Sequence, residues 1–130
     1  MYALDSNTLI YFFKALGNVP ENLLRTPPRE IAIPAIVLYE LETGIAKSHS
    51  PEKRRAQLDA LLSQVAVLPF GPAEARASAR VRAALEGAGT PIGPIDVLIA
   101  GTALSHGATL VTRNLEEFRR VPGLSVTDWY

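Results

Sequence analysis

Four carboxylates stand where a charge is expensive, and any fold this chain adopts has to give them somewhere to go. Asp5 ends the apolar start Met1-Tyr2-Ala3-Leu4, and Glu40 sits inside Ile36-Val37-Leu38-Tyr39-Glu40-Leu41. Asp96 sits inside Ile95-Asp96-Val97-Leu98-Ile99-Ala100, and Glu117 follows the strand-like Thr109-Leu110-Val111-Thr112 by five residues. A buried carboxylate with no cationic partner takes up a proton or finds a metal ion. Convergence sharpens the problem, because two carboxylates about 5 Å apart at an effective dielectric near 20 repel by roughly 3 kcal/mol. A single site neutralised by one hard cation is the economical arrangement.

Composition limits the donors of such a site. The chain has no cysteine and only two histidines, His49 and His106, so thiolate sites are excluded and imidazole-built zinc sites are disfavoured. Oxygen donors remain, which favour magnesium, manganese or calcium. With 130 residues, 48% of them hydrophobic, the chain is long and apolar enough for one domain around one core. Its 13 basic and 13 acidic residues cancel, so local patches and not the total decide whether nucleic acid binds. No apolar run approaches the length of a membrane span, and the N-terminus lacks the basic and long apolar regions of a signal peptide. A cytoplasmic protein with no membrane partner is expected.

Prolines and glycines punctuate the chain into alternating strands and helices. Strands are predicted at residues 2–5, 30–33, 65–68, 108–112 and 124–127. Helices are predicted at 7–16, where Gly17-Asn18 ends the run, at 21–25, and from Pro34 to about Lys47. Further helices are predicted after Ser50 as N-cap, at 72–86, from Gly93-Pro94 to His106-Gly107, and at 114–119. This order predicts an α/β fold with a mostly parallel sheet covered on both faces, with ligands bound beyond the carboxyl ends of the strands. Asp5 and the Thr112-Arg113-Asn114 turn fall at such ends.

Each acid also has an ordinary structural reading. Asp5, followed by Ser6-Asn7-Thr8, suits a helix N-cap. Glu40 competes with Glu42, which reads as a solvated residue; Gly44, one turn on, leaves space beside Glu40 at a cost of about 1 kcal/mol in helix propensity. Asp96, third in its helix, complements the helix dipole, yet its neighbours Ile99, Ala100 and Ala103 are apolar or small. Asn114-Leu115-Glu116-Glu117 matches a capping box, and Glu116 competes with Glu117 for any functional role. Taken as one site, the acids point to a metal-activated water and phosphodiester hydrolysis. No Ser/His/Asp arrangement and no glycine-rich phosphate loop offers a rival.

At these residues the chain resembles the PIN-domain ribonucleases, specifically the VapC-type toxins of bacterial toxin–antitoxin pairs. The matching stretches are Leu4-Asp5-Ser6-Asn7-Thr8, Leu38-Tyr39-Glu40-Leu41-Glu42-Thr43-Gly44, Gly93-Pro94-Ile95-Asp96 with Ile99-Ala100, and Leu110-Val111-Thr112-Arg113-Asn114 followed by Glu117-Phe118. The ending from Arg120-Val121-Pro122-Gly123-Leu124 to Asp128-Trp129 is also similar, so the likeness spans nearly the whole chain. It implies one PIN domain over residues 1–130, a five-stranded mostly parallel sheet with helices on both faces, and an endoribonuclease dependent on Mg²⁺ or Mn²⁺. Asp5 and Asp96 would be direct or water-mediated metal ligands, and Glu40 would orient or deprotonate the attacking water. Glu117 would complete the acidic pocket, with Asn7, Thr112 and Asn114 in support. Many relatives carry an Asn-Asn pair or an Asp near the last acid, where this chain has Arg113-Asn114 and a Glu. A homodimer is expected, bound by a VapB-type antitoxin whose C-terminal segment occupies the active-site groove.

RNA needs positive charge beside an acidic pocket. Lys53-Arg54-Arg55, Arg76-Arg80-Arg82 and Arg113-Arg119-Arg120 are candidates, with Arg113 the expected phosphate contact. Tyr39 and Phe118 are expected in the core, with base stacking as the functional alternative. A haloacid-dehalogenase-like phosphatase using Asp5 as nucleophile is a second enzyme reading, although Asn7 stands where that family wants a second Asp and no lysine is well placed. An inactive PIN-like binding module is a non-enzymatic one.

Overall fold

The computed structural model describes residues 1–130 and contains five short strands and seven α-helices. In chain order these are β1 (Tyr2–Leu4), α1 (Ser6–Phe13), α2 (Val19–Arg25), β2 (Ile31–Pro34), α3 (Ala35–Ala46), α4 (Pro51–Leu62) and β3 (Ala66–Leu68). There follow α5 (Pro72–Gly87), α6 (Pro94–Ser105), β4 (Thr109–Val111), α7 (Leu115–Phe118) and β5 (Val126–Thr127). All four strand pairings are parallel and the sheet order is β3-β2-β1-β4-β5. The chain runs outward from β1 to β2 and β3 and then returns across β1 to β4 and β5; with the usual right-handed crossovers, this reversal puts the connecting helices on opposite faces. Ala3, Leu4, Ala32, Ile33, Leu110 and Val111 are accordingly fully buried, as expected for strands covered on both sides. No helix is long and apolar enough to cross a membrane.

Two boundaries and one cap differ from the sequence reading. Helix α1 stops at Phe13 and not at residue 16, because Ala15 adopts φ 56° and closes a Schellman motif. Leu16 N–H donates to Tyr11 O at 2.9 Å, and Ala15 N–H to Phe12 O at 3.1 Å. Pro34 belongs to β2, in register with Leu68, and acts as the N-cap of α3 instead of its first residue. Ser50 precedes α4 as expected, but its side chain makes no capping bond.

Helices α5 and α6 form the tightest helix pair, and their contact aims the first turn of α6. A Cβ on buried Gly101 would fall 2.0 Å from Ser78 Oγ and 2.6 Å from both the Cα and the N of Ser78. The N-terminus of α5 is fixed to the far end of α6 through buried Glu74. One of its oxygens accepts from Gly71 N–H at 2.8 Å, and the other lies 2.8 Å from His106 Nε2. The Gly71 amide first, and the His106 ring in addition, hold the Glu74 carboxyl below the usual range.

Gly101→Ala should therefore destabilise the protein by about 1–3 kcal/mol, since the added methyl overpacks a backbone contact. Adding Ser78→Ala should not restore stability, because the Ser78 backbone itself is in the way. Urea denaturation of the three proteins checks both statements, and full rescue by the double variant would contradict this packing.

Candidate active site

The connections leave central β1 toward β2 and β3, then return across it to β4 and β5, so the topological switch lies between β1 and β4. Open parallel sheets bind ligands in the crevice beyond the strand ends at such a point. Asp5 is the first residue after β1 and is only 8% exposed. Its amide donates to Val111 O at 3.1 Å, which ties it to β4, while its Oδ1 accepts from Thr8 N–H at 2.9 Å and caps α1. The cap and the strand-end site are thus the same carboxylate. Thr8 Oγ1 donates to Val111 O at 3.2 Å and locks α1 onto β4.

The other side of the crevice follows β4. Thr112 is fully buried, its amide donates to Thr127 O at 2.9 Å, and its Oγ1 accepts from Asn114 N–H at 3.0 Å. Asn114 Nδ2 donates to Glu117 Oε2 at 2.9 Å, so the expected capping box is replaced by a side-chain pair that orients Glu117. Glu117 is half-buried whereas Glu116 is exposed. Glu40, in the second turn of α3, accepts a hydrogen bond from Ser6 Oγ at the start of α1. Its neighbour Glu42 pairs instead with Arg55, whose hydrogen bond holds the Glu42 carboxyl below the usual range. A Cβ at Gly44 would meet nothing within 4 Å, which confirms the open space beside Glu40. Asp96, third in α6, folds back over Gly93, whose Cβ would lie 3.1 Å from Asp96 Oδ2.

The charges of the other three acids reach Asp96. Burial pushes the Asp96 carboxyl above the usual range, and the charges of Glu117, Glu40 and Asp5 push it further in the same direction. Burial also raises Asp5; hydrogen bonds from Thr112 and Thr8 counter it, and the charge of Asp128 adds to it. None of the four acids forms an ion pair with a lysine, arginine or histidine. No three of the carboxylates close on a common point as a ready cage. An all-oxygen set of this kind suits a hard divalent cation held by one or two carboxylates that keeps several of its own waters.

The structure places Asp5, Glu40 and Glu117 around Asp96, near enough for their charges to act on it, and Asn114 braces Glu117. Asn7 is exposed in the first turn of α1 and lines a groove that begins at Glu40. Arg113 is exposed beside the crevice, its guanidinium stacked 3.7 Å from the centroid of the Tyr130 ring and 5.9 Å from that of Tyr11. Gly17, at φ 59°, backs the Tyr130 ring so closely that a Cβ would lie 2.8 Å from it. Tyr39 is 60% exposed, against the core position expected for it, while Phe118 is buried as expected. Sequence reasoning missed Ser6, Thr8 and Asp128. The available signal for Asp128 was its place directly after the last strand, as Asp5 follows the first.

Comparison with known proteins accords with this geometry. The PIN-domain family model matches residues 2–124. A protein of Salmonella typhimurium named tRNA(fMet)-specific endonuclease VapC is 38% identical, covering 98% of this chain and 97% of its own. Ribonuclease VapC2 of Rickettsia felis is 36% identical, covering 99% and 98%. Among solved structures, VapBC2 from Rickettsia felis bound to a promoter DNA fragment superposes with a TM-score of 0.91 at 36% identity, over 99% of this chain and 98% of that one. DNA-bound VapBC from Salmonella typhimurium superposes equally well, at 38% identity. The phosphatase alternative finds no support beside these matches, and no lysine pairs with Asp5.

The raised carboxyls make a signed pH prediction. Asp96 in the folded protein holds its proton to higher pH than in the unfolded chain, whose carboxyl titrates near about 3.9. The folded state therefore binds more protons above that value, and this group's contribution to stability falls as pH rises. Without divalent metal, Asp96→Asn should be little different in stability from the wild type near pH 3.5 and clearly more stable near pH 7. Paired urea titrations across this range test it, and a stability gap that is constant or narrows with pH would contradict it.

Proposed function

We propose that this chain, which belongs to the PIN-domain family, is a VapC-type endoribonuclease toxin hydrolysing RNA phosphodiester bonds in the crevice between β1 and β4. The observation that carries the reading is the convergence of Asp5, Glu40, Asp96 and Glu117 with no cationic side chain among them. The relatives' names supply the reaction class, and transfer RNA is the substrate to test first because the Salmonella relative is named for it.

In this reading Asp5 and Asp96 would hold Mg²⁺ or Mn²⁺. A cation held there would make a bound water more acidic and would shield the charge of the scissile phosphate. The chain's own residues do the rest. The Thr8 amide fixes Asp5 Oδ1, which leaves Oδ2 to face the crevice. Glu40 has one oxygen engaged by Ser6 and uses the other to orient the attacking water and accept its proton. Glu117, held by Asn114, keeps the crevice too negative to work without a cation. Asn7 supports the substrate side. Arg113 contacts a phosphate from its aromatic platform, where stacking limits the freedom that binding removes.

The partners follow from the same charge. A VapB-type antitoxin that places a basic side chain among the acids neutralises them as the metal does, and so inhibits. The enzyme acts in the cytoplasm, as a homodimer, which light scattering of the purified protein would check.

Asp5→Asn and Asp96→Asn should each lower RNA cleavage by at least about 100-fold in protein that still melts cooperatively. Glu40→Gln should lose about 10²–10⁴-fold in kcat, as expected for a general base. Excess chelator should abolish activity and added Mg²⁺ or Mn²⁺ restore it. Sequencing the 5′ ends of fragments made from total RNA reads all three. Full activity in chelator, or in either Asn variant, would overturn the mechanism, and a phosphoaspartate at Asp5 would point to the phosphatase instead.

A further inference from the structure

A groove of about 590 Å³ leads away from Glu40 between α1, α3 and the start of α4. Asn7, Ile10 and Lys14 share one face of α1 and line it from the acidic end outward, a rise of about 10 Å along the helix. Lys53 and Arg54 line it from α4. Glu40 is its only carboxylate, against three cations. None of those cations is committed to an acid. In the run Lys53-Arg54-Arg55, only Arg55 turns away to Glu42 and Asp59, leaving the other two to the groove. Arg54 is also pre-positioned: its guanidinium lies 5.3 Å over the Phe13 ring and donates to Gln57 Oε1 at 2.7 Å. Gln57 in turn donates to Phe13 O at 3.1 Å and fastens α4 to the end of α1.

We propose that this groove is a track for single-stranded RNA, in which Lys14, Lys53 and Arg54 bind backbone phosphates flanking the bond cut at the acidic crevice. The proposal rests on the ribonuclease reading for its orientation, since Glu40 marks the catalytic end. A crevice of four carboxylates repels every phosphate except the one its cation neutralises, so neighbouring phosphates need positive charge within reach. The groove supplies that charge on one side of the site, continuous with it and free of internal ion pairs. Only three of its lining residues, Ile10, Leu41 and Ile45, are hydrophobic, and the three cations among the rest suit an anionic strand.

The test uses Lys14→Ala/Lys53→Ala in the full chain; Arg54 is left intact because it also braces α4. In an Asp96→Asn background that prevents cleavage, binding of fluorescein-labelled oligouridine is followed by anisotropy across a salt series. The slope of log Kd against log salt should fall by about 1.4, at about 0.7 per lost single-strand phosphate contact. In the active enzyme, KM for transfer RNA should rise by roughly 10-fold or more with kcat unchanged, because neither lysine touches the reacting atoms. An unchanged slope in a variant that melts like the wild type overturns the track. So does an unchanged slope with weakened capture of an acidic peptide, which would make the groove a protein-docking site. A reduced slope in a protein that cuts no RNA keeps the track and removes the ribonuclease reading, whereas cleavage with an unchanged slope does the reverse.

Discussion

Mutual repulsion among Asp5, Glu40, Asp96 and Glu117 is the constraint around which the rest of the molecule is arranged. Each acid sits on a different element, and each is held in place by a neutral donor or by the local backbone, without a cation. Asp5 is held by the Thr8 amide, Glu40 by Ser6, Glu117 by Asn114, and Asp96 by its turn over Gly93. Neutral donors fix geometry and leave the charge unspent. The fully buried parallel strands and the close Gly101–Ser78 contact provide the rigidity that keeps four like charges from drifting apart. Stability given up at the crevice is the condition for binding a cation there.

The division of charge outside the crevice follows the same logic. The chain has no net charge, yet cations without an acidic partner lie near the site. Arg55 and Arg82 are bound to neighbouring acids and serve local structure. Lys14, Lys53 and Arg54 make no ion pair along one groove, and Arg113 is stacked on Tyr130. An acidic centre flanked by uncommitted basic side chains can hold an anionic polymer only when something neutralises the middle, which gives metal, substrate and inhibitor a common point of action.

Much of this was legible in the residues themselves. Asp5 and Asp96 stood out because burial next to small or apolar neighbours is costly for a carboxylate, and strand alternation located the crevice. The choice of Glu40 over Glu42 became physical only in the fold, where Arg55, thirteen residues away from Glu42, takes Glu42 out of contention. Glu117 over Glu116 was likewise decided by which side of a one-turn helix faces Asp96. Ser6 and Thr8 were hidden because a hydroxyl beside an N-cap reads as a second capping candidate. The end of α1 was misjudged because Ala15 takes the left-handed conformation that glycine usually supplies. The groove depends on which way three long side chains turn, which periodicity does not encode.

The most direct test of convergence is the melting temperature of the wild type, Asp5→Asn and Asp96→Asn as Mn²⁺ is titrated into chelator-treated protein. If the acids form one cation site, the wild type should rise in a saturable manner, since a ligand that binds only the folded state stabilises it by mass action. Both Asn variants should start higher, relieved of repulsion, and respond little. An equal rise in all three proteins, or no rise in the wild type, would contradict the single site.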